Sequence, residues 1–227
     1  MTAQRSLPLT LLNILTGVAL VIFLYMALIW APPAANLQGA EQAAQRIFYI
    51  HMGNNAAAGL AFLATFVAGI LYLVTRRKIW DTIGLSGVEL GIAFATGTLI
   101  TGSIWAKPTW NTYWTWDPRL TTSAIVWLLY IAYLMLRGAV ENPEQRARFA
   151  AVYGIFASVS LPLVYYSANW FRSLHQPHST PQTVDASMKL PLRINAFAFL
   201  FLMIWFIWRR YELLRADAAH ESTPPPA

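Results

Sequence analysis

The chain has 227 residues, of which 57% are apolar and only 11% charged, too much apolar surface for one soluble core to hide, so most of its solvent must be lipid. It contains no cysteine, which excludes disulfides, thiolate metal sites and iron–sulfur clusters; a bound metal would rest on His, Met, Tyr or carboxylate. The net charge of +6 comes from basic residues set singly at the ends of apolar runs, a distribution that does not suit a nucleic-acid surface.

Crossing a hydrocarbon layer of roughly 30 Å takes roughly 20 apolar residues, and shorter runs are rescued by flanking Lys or Arg that snorkel. Six stretches qualify: residues 9–30, 47–74, 83–105, 120–136, 149–168 and 190–208. The fourth is bounded by Arg119 and Arg137 and the sixth by Arg193 and Arg209, arginines placed to reach the interface. The reading is an all-α integral membrane protein, one bundle of six transmembrane helices over residues 1–215. A disordered tail is expected at 216–227, where Thr-Pro-Pro-Pro-Ala carries no apolar periodicity. The first run is longer than the roughly 7–15 apolar residues of a signal-peptide core and reads as a retained helix.

Orientation follows from Lys and Arg in short connections. One set of ends carries Arg5, Arg76, Arg77, Lys78, Arg137, Arg146, Arg148, Arg209, Arg210 and Arg215, ten of the 16 basic residues; the other carries Arg46, Lys107, Arg119, Arg172, Lys189 and Arg193. Both termini are therefore expected in the cytoplasm. The outer connections, near 31–46, 105–119 and 169–189, hold most of the tryptophan-rich and histidine-rich sequence, so function is expected on that face.

His51 sits one turn into the second span, where an ionisable group is costly unless it meets a partner, a cavity or a ligand. A hydrogen bond within the bundle is the plain alternative. The third outer segment supplies His175. Two histidines from different spans on one face can converge on the two axial positions of a haem iron. His178 follows closely, but Pro177 between them disfavours a shared metal site on one helix. Between the histidines, residues 105–116 contain four tryptophans and a tyrosine, closed by Asp117. Interface belts gather Trp and Tyr, yet this density, interleaved with Thr and Asn, suits a flat apolar platform for a large planar ligand built on Trp110, Trp114 and Trp116. Arg119, Arg172 and Arg193 are placed to pair with carboxylates of such a ligand or simply to snorkel. Glu89 lies within the third span, where a functional role and a pairing with a neighbouring helix are both open.

Together these strings resemble the family of haem-handling membrane proteins marked by a tryptophan-rich "WWD" segment between two outer-face histidines, and within it the six-span branch of haem exporter protein C, CcmC. The carrying residues are Tyr49-Ile50-His51; Thr101-Gly102-Ser103-Ile104-Trp105-Ala106-Lys107-Pro108 running into Trp110, Trp114, Trp116-Asp117 and Arg119-Leu120-Thr121; Tyr166-Ser167 with Trp170 and Leu174-His175-Gln176; and Pro191-Leu192-Arg193. The likeness spans about residues 46–208. It implies that His51 and His175 are the axial ligands of a transient bis-histidine haem b. It also implies that Trp110, Trp114, Trp116, Asp117, Arg119 and Trp170 form the haem site. Three departures stand out: Asn111 where Gly is common, Tyr113 where another Trp is usual, and Gly53-Asn54-Asn55 in place of a Val-Pro-Ala type sequence.

The role this implies is to hold haem at the outer face of the bacterial inner membrane and pass it to a periplasmic haem chaperone. The implied companions are ABC transporter subunits and a small single-span subunit, in cytochrome c maturation. That is a carrier, not an enzyme. Two rivals differ in class. A haem lyase subunit of the related branch would usually have more spans and further intramembrane histidines, and a transporter passing haem through its own bundle would need polar groups along the membrane depth, where Glu89 is nearly alone.

Overall fold

The computed structural model describes residues 7–35, 37–175 and 184–221, and among these it contains helices and no strand. Helix α1 spans Leu7–Tyr25, α2 Gly39–Thr75, α3 Lys78–Trp110, α4 Pro118–Ala139, α5 Pro143–Ser158, α6 Leu161–Trp170 and α7 Ala186–Glu221. Six segments are long and apolar enough to cross a membrane: Leu9–Trp30, Gly39–Thr75, Lys78–Trp110, Pro118–Ala139, Pro143–Trp170 and Ala186–Leu214. The all-α six-span bundle expected from hydropathy is therefore what forms. Large apolar side chains such as Ile14, Val21, Leu63, Phe156 and Phe197 point outward, as a lipid solvent requires.

The helices outrun the apolar runs that announced them. At 1.5 Å per residue, the 37 residues of α2 reach about 55 Å, well beyond a hydrocarbon core of about 30 Å. Its first two turns are polar and are fixed by Gln45, whose side chain accepts from the Ala34 N–H at 2.8 Å and donates to the Pro32 carbonyl and the Tyr49 hydroxyl. Helix α3 runs through Pro108 to Trp110, so the connection expected at 105–119 shrinks to the stretch between Trp110 and Pro118. Helix α7 continues through Ala216 to Glu221, where a disordered tail was expected to begin; residues 222–227 lie outside the described ones.

Two helix irregularities have local causes. Helix α1 widens over Met26–Trp30 into a π turn closed by the Ala31 N–H donating to the Met26 carbonyl at 2.9 Å. The fifth span breaks at Val159 and Ser160, whose N–H groups reach back only three residues to Phe156 and Ala157. Pro162 is the reason: it offers no N–H to the carbonyl four residues earlier, and its ring crowds that turn.

Helix α2 is the hub, packed against α3, α5 and α7, while α1 lies against α7 and α4 against α3, α5 and α6. The α2–α3 seam is close because α3 presents glycine to it. A Cβ at Gly87 would lie 2.7 Å from the Ala61 carbonyl oxygen and one at Gly91 would run into Phe62, whose ring stacks on Tyr130 at 3.6 Å. Small residues at such crossings let helix backbones approach where lipid supplies no hydrophobic drive to pack them. At the end opposite the tryptophan segment, Asp81 in the first turn of α3 and Arg137 in the last turn of α4 form a two-pronged pair at 2.6 and 2.7 Å. Glu89 is paired with Arg210 of α7, so of its two open readings the structure supplies the interhelical pairing.

Candidate functional site

His51 and His175 belong to the same end of the bundle and share one mode of support. His51 lies in α2 against α3, its Nδ1 3.1 Å from the Thr98 carbonyl oxygen and 3.3 Å from Thr101 Oγ1. A carbonyl only accepts, so Nδ1 carries the proton and the lone pair is left on Nε2. The ring fits because α3 has Gly102 there: a Cβ would stand 3.0 Å from His51 Cε1. His175 lies beyond the end of α6, its Nδ1 3.2 Å from Asp117 Oδ1. Burial pushes this imidazole below its ordinary pKa, and the pull of Asp117 upward offsets it only in part. A carboxylate only accepts, so Nδ1 carries the proton and, in the neutral ring, the lone pair is on Nε2. A metal-ligating histidine has this form, its outer nitrogen anchored and its inner one open.

A run of aromatic contacts leads from the turn before His51 to His175. Phe48, one turn before His51, lies 5.8 Å from Trp105; Trp105 meets Trp110 edge-on at 6.0 Å; and Trp110 meets the His175 ring at 4.8 Å. Trp105 and Phe48 were not among the expected site residues, nor were Thr98, Thr101, Gly102 and Ser173. Gly97, Thr98, Thr101 and Gly102 share one helical face of small and polar residues within an otherwise apolar span, the pattern that marks a seat for a side chain from the neighbouring helix.

The remaining expected residues divide. Trp114 and Trp116 form an edge-on pair at 6.0 Å, and Trp116 is 83% exposed, projecting from the bundle end. Trp170 is stacked on Tyr166. Arg119 donates from Nη2 to the Tyr165 carbonyl, tying α4 to α6. Asp117 is enclosed, at 7% exposure. Burial alone would raise its carboxyl, but hydrogen bonds from the Leu174 N–H, the Ser173 hydroxyl and the Arg119 N–H, with His175 beside it, hold it below the ordinary carboxylate value. Arg172 and Arg193 are exposed. His178 lies outside the described residues, among which no cluster of three or more His, Asp or Glu could hold a free metal ion.

Two departures from the family pattern find a physical reason. Asn111 ends α3 at φ 57°, the left-handed region that glycine enters freely and asparagine next most readily, so Asn can stand where Gly is common. Gly53 faces α7, where any Cβ would lie 2.5 Å from Asn195 Oδ1 and the Phe199 ring. Asn195 in turn donates to the Tyr49 carbonyl, in the turn that carries His51.

A bundle of six helices long and apolar enough to cross a membrane, with two anchored imidazoles and a tryptophan-dense connection at one end, defines a multi-pass membrane protein. The family model described as Heme exporter protein C matches residues 2–223. A Heme exporter protein C of Bradyrhizobium diazoefficiens is 35% identical over 212 residues, covering 88% of this chain and 76% of the relative. That of Escherichia coli K12 is 31% identical over 187 residues, covering 82% and 76%. A Marchantia polymorpha protein described as ccmC-like, mitochondrial and of cytochrome c biosynthesis is 30% identical over 190 residues, covering 82% and 79%. The chain belongs to the heme exporter protein C family.

Proposed function

We propose that this chain binds haem b between His51 and His175 at the periplasmic face of the bacterial inner membrane and delivers it to a periplasmic haem chaperone. Family membership assigns it to haem handling in cytochrome c biogenesis, in the role of a carrier subunit of a haem exporter complex. The observation that carries the finer reading is the matched pair of imidazoles: each has its Nδ1 anchored and its Nε2 without a hydrogen bond among the described residues, and Trp110 lies against the second of them with Trp105 behind it. Two imidazole nitrogens, one from a helix and one from the segment beyond α6, suit the two faces of a haem iron, and the tryptophan rings suit the macrocycle. Trp114, Trp116, Trp170 and Arg119 flank this core, and Arg119 offers a guanidinium for a propionate. Holding and releasing haem breaks no covalent bond, which is why the role is that of a carrier. The companions we propose are ABC transporter subunits and a small single-span subunit. The test is an absorption spectrum of the purified protein supplied with hemin: the expected result is a six-coordinate low-spin haem, and a high-spin or absent spectrum overturns the reading.

Placement at the periplasmic face rests on the excess of basic residues at the opposite ends. Reporter fusions after Arg77 and Arg146 are expected to read cytoplasm and those at Asn111 and Gln182 periplasm. A periplasmic signal at Arg77 would invert the topology and move the site to the wrong compartment.

A further inference from the structure

Resting on the haem-carrier reading, we infer that Asp117 is a positioning residue that never touches haem: it latches the segment bearing His175 onto the start of α4. A carboxylate offers about four acceptor directions in all. Four donors already occupy those of Asp117: Arg119 N–H to Oδ1 at 2.9 Å, Ser173 Oγ–H to Oδ2 at 2.8 Å and Oδ1 at 3.0 Å, Leu174 N–H to Oδ2 at 2.7 Å, and His175 Nδ1 to Oδ1 at 3.2 Å. The group is also only 7% exposed. It therefore has neither a free lone pair nor an open face for a ligand, although it closes the very segment whose tryptophans suit a macrocycle.

Its partners show what it does instead. Three of the four donors are the consecutive residues Ser173, Leu174 and His175, in irregular backbone beyond the end of α6; the fourth is the backbone of α4, which Asp117 caps. One carboxylate thus joins two elements and sets both the position and the tautomer of the imidazole. Ser173 closes the turn by accepting from the His175 N–H at 3.0 Å. His51 has no such dependence, being carried by a regular helix and anchored to a backbone carbonyl of the neighbouring one. The two ligands are consequently a fixed post and a latched arm, and the arm is the one a partner can free without disturbing a helix.

The experiment uses the full chain in detergent micelles, loaded with hemin, comparing Asp117→Ala, Asp117→Asn and Ser173→Ala with His175→Ala. Ser173→Ala leaves the α4 cap intact and so guards against a folding defect. Asp117→Ala is expected to show the same loss of the low-spin spectrum as His175→Ala, and excess imidazole is expected to restore it in both, because the surface that receives the macrocycle is unchanged. In Asp117→Asn and Ser173→Ala, hemin transfer to apomyoglobin is expected to quicken by roughly 10–100-fold, the range seen when outer-shell support of a ligand is removed. A wild-type spectrum and transfer rate in Asp117→Ala overturns the latch, and so does a loss of hemin that imidazole does not repair, since that would mean direct contact with the macrocycle. A wild-type protein lacking the low-spin spectrum instead overturns the haem-carrier reading beneath it.

Discussion

Replacing His51 or His175 with alanine is expected to convert a six-coordinate low-spin haem to a five-coordinate or water-ligated one while the bundle stays folded. Each imidazole supplies one iron position, so the loss falls on the first coordination shell, and hemin retention is expected to drop by more than the roughly 10–100-fold that an outer-shell change costs. The helices should tolerate both changes. His51 packs against Gly102 and a backbone carbonyl, leaving no buried charge behind, and His175 lies outside the spans. Absorption and electron paramagnetic resonance spectra of each variant check coordination, and size-exclusion elution checks the fold. Substituting His178 is expected to leave the spectrum close to wild type, since a proline between it and His175 in the sequence disfavours the regular helix that would set both imidazoles at one site. If the His178 variant lost the low-spin signal while the His175 variant kept it, the ligand assignment in this segment would be wrong and the haem reading would stand.

Hydropathy made the six spans legible because a membrane crossing is written in length and composition, and nothing in tertiary packing overrides that demand. It placed the ends poorly for the same reason. The first turns of α2 are polar and owe their helicity to Gln45 and the loop before it, a tertiary feature that an apolar window does not see. Pro108 and Pro162 show how one residue type gives opposite outcomes: α3 absorbs the first near its end, whereas the second breaks the fifth span near its middle. At the site, the histidines and the tryptophan segment could be read as strings, but the role of Asp117 could not. A carboxylate next to tryptophans looks like a ligand contact until the four donors around it are counted, and three of those come from more than 50 residues away in the chain. Thr98 was equally hidden, because its contribution is a backbone carbonyl, which every residue possesses.

Gly87→Val is expected to prevent the folded protein from accumulating, the largest effect on stability among the glycines. A Cβ there would stand 2.5 Å from Thr65 Oγ1 and 2.7 Å from the Ala61 carbonyl oxygen. The hydroxyl can rotate away, but the carbonyl belongs to α2 and moves only if the helix moves. Thr65 also holds the seam by donating to the Ala61 and Gly84 carbonyls, so displacing it leaves buried polar groups unpaired in a membrane interior. Overpacking commonly costs about 1–3 kcal/mol, and a backbone clash combined with lost hydrogen bonds should exceed that range. Gly17→Val is the control, since nothing lies within 4 Å of a Cβ at that position. The measurement is the yield and thermal midpoint of detergent-solubilised protein, with Gly17→Val expected near wild type and Gly87→Val expected to give little folded material. A Gly87→Val protein of normal midpoint would mean that α2 and α3 can part without cost. The same parting would carry His51 away from Thr98 and Gly102, so a stable variant should at least show a disturbed haem spectrum, because the seam that holds the bundle together also holds this imidazole in place.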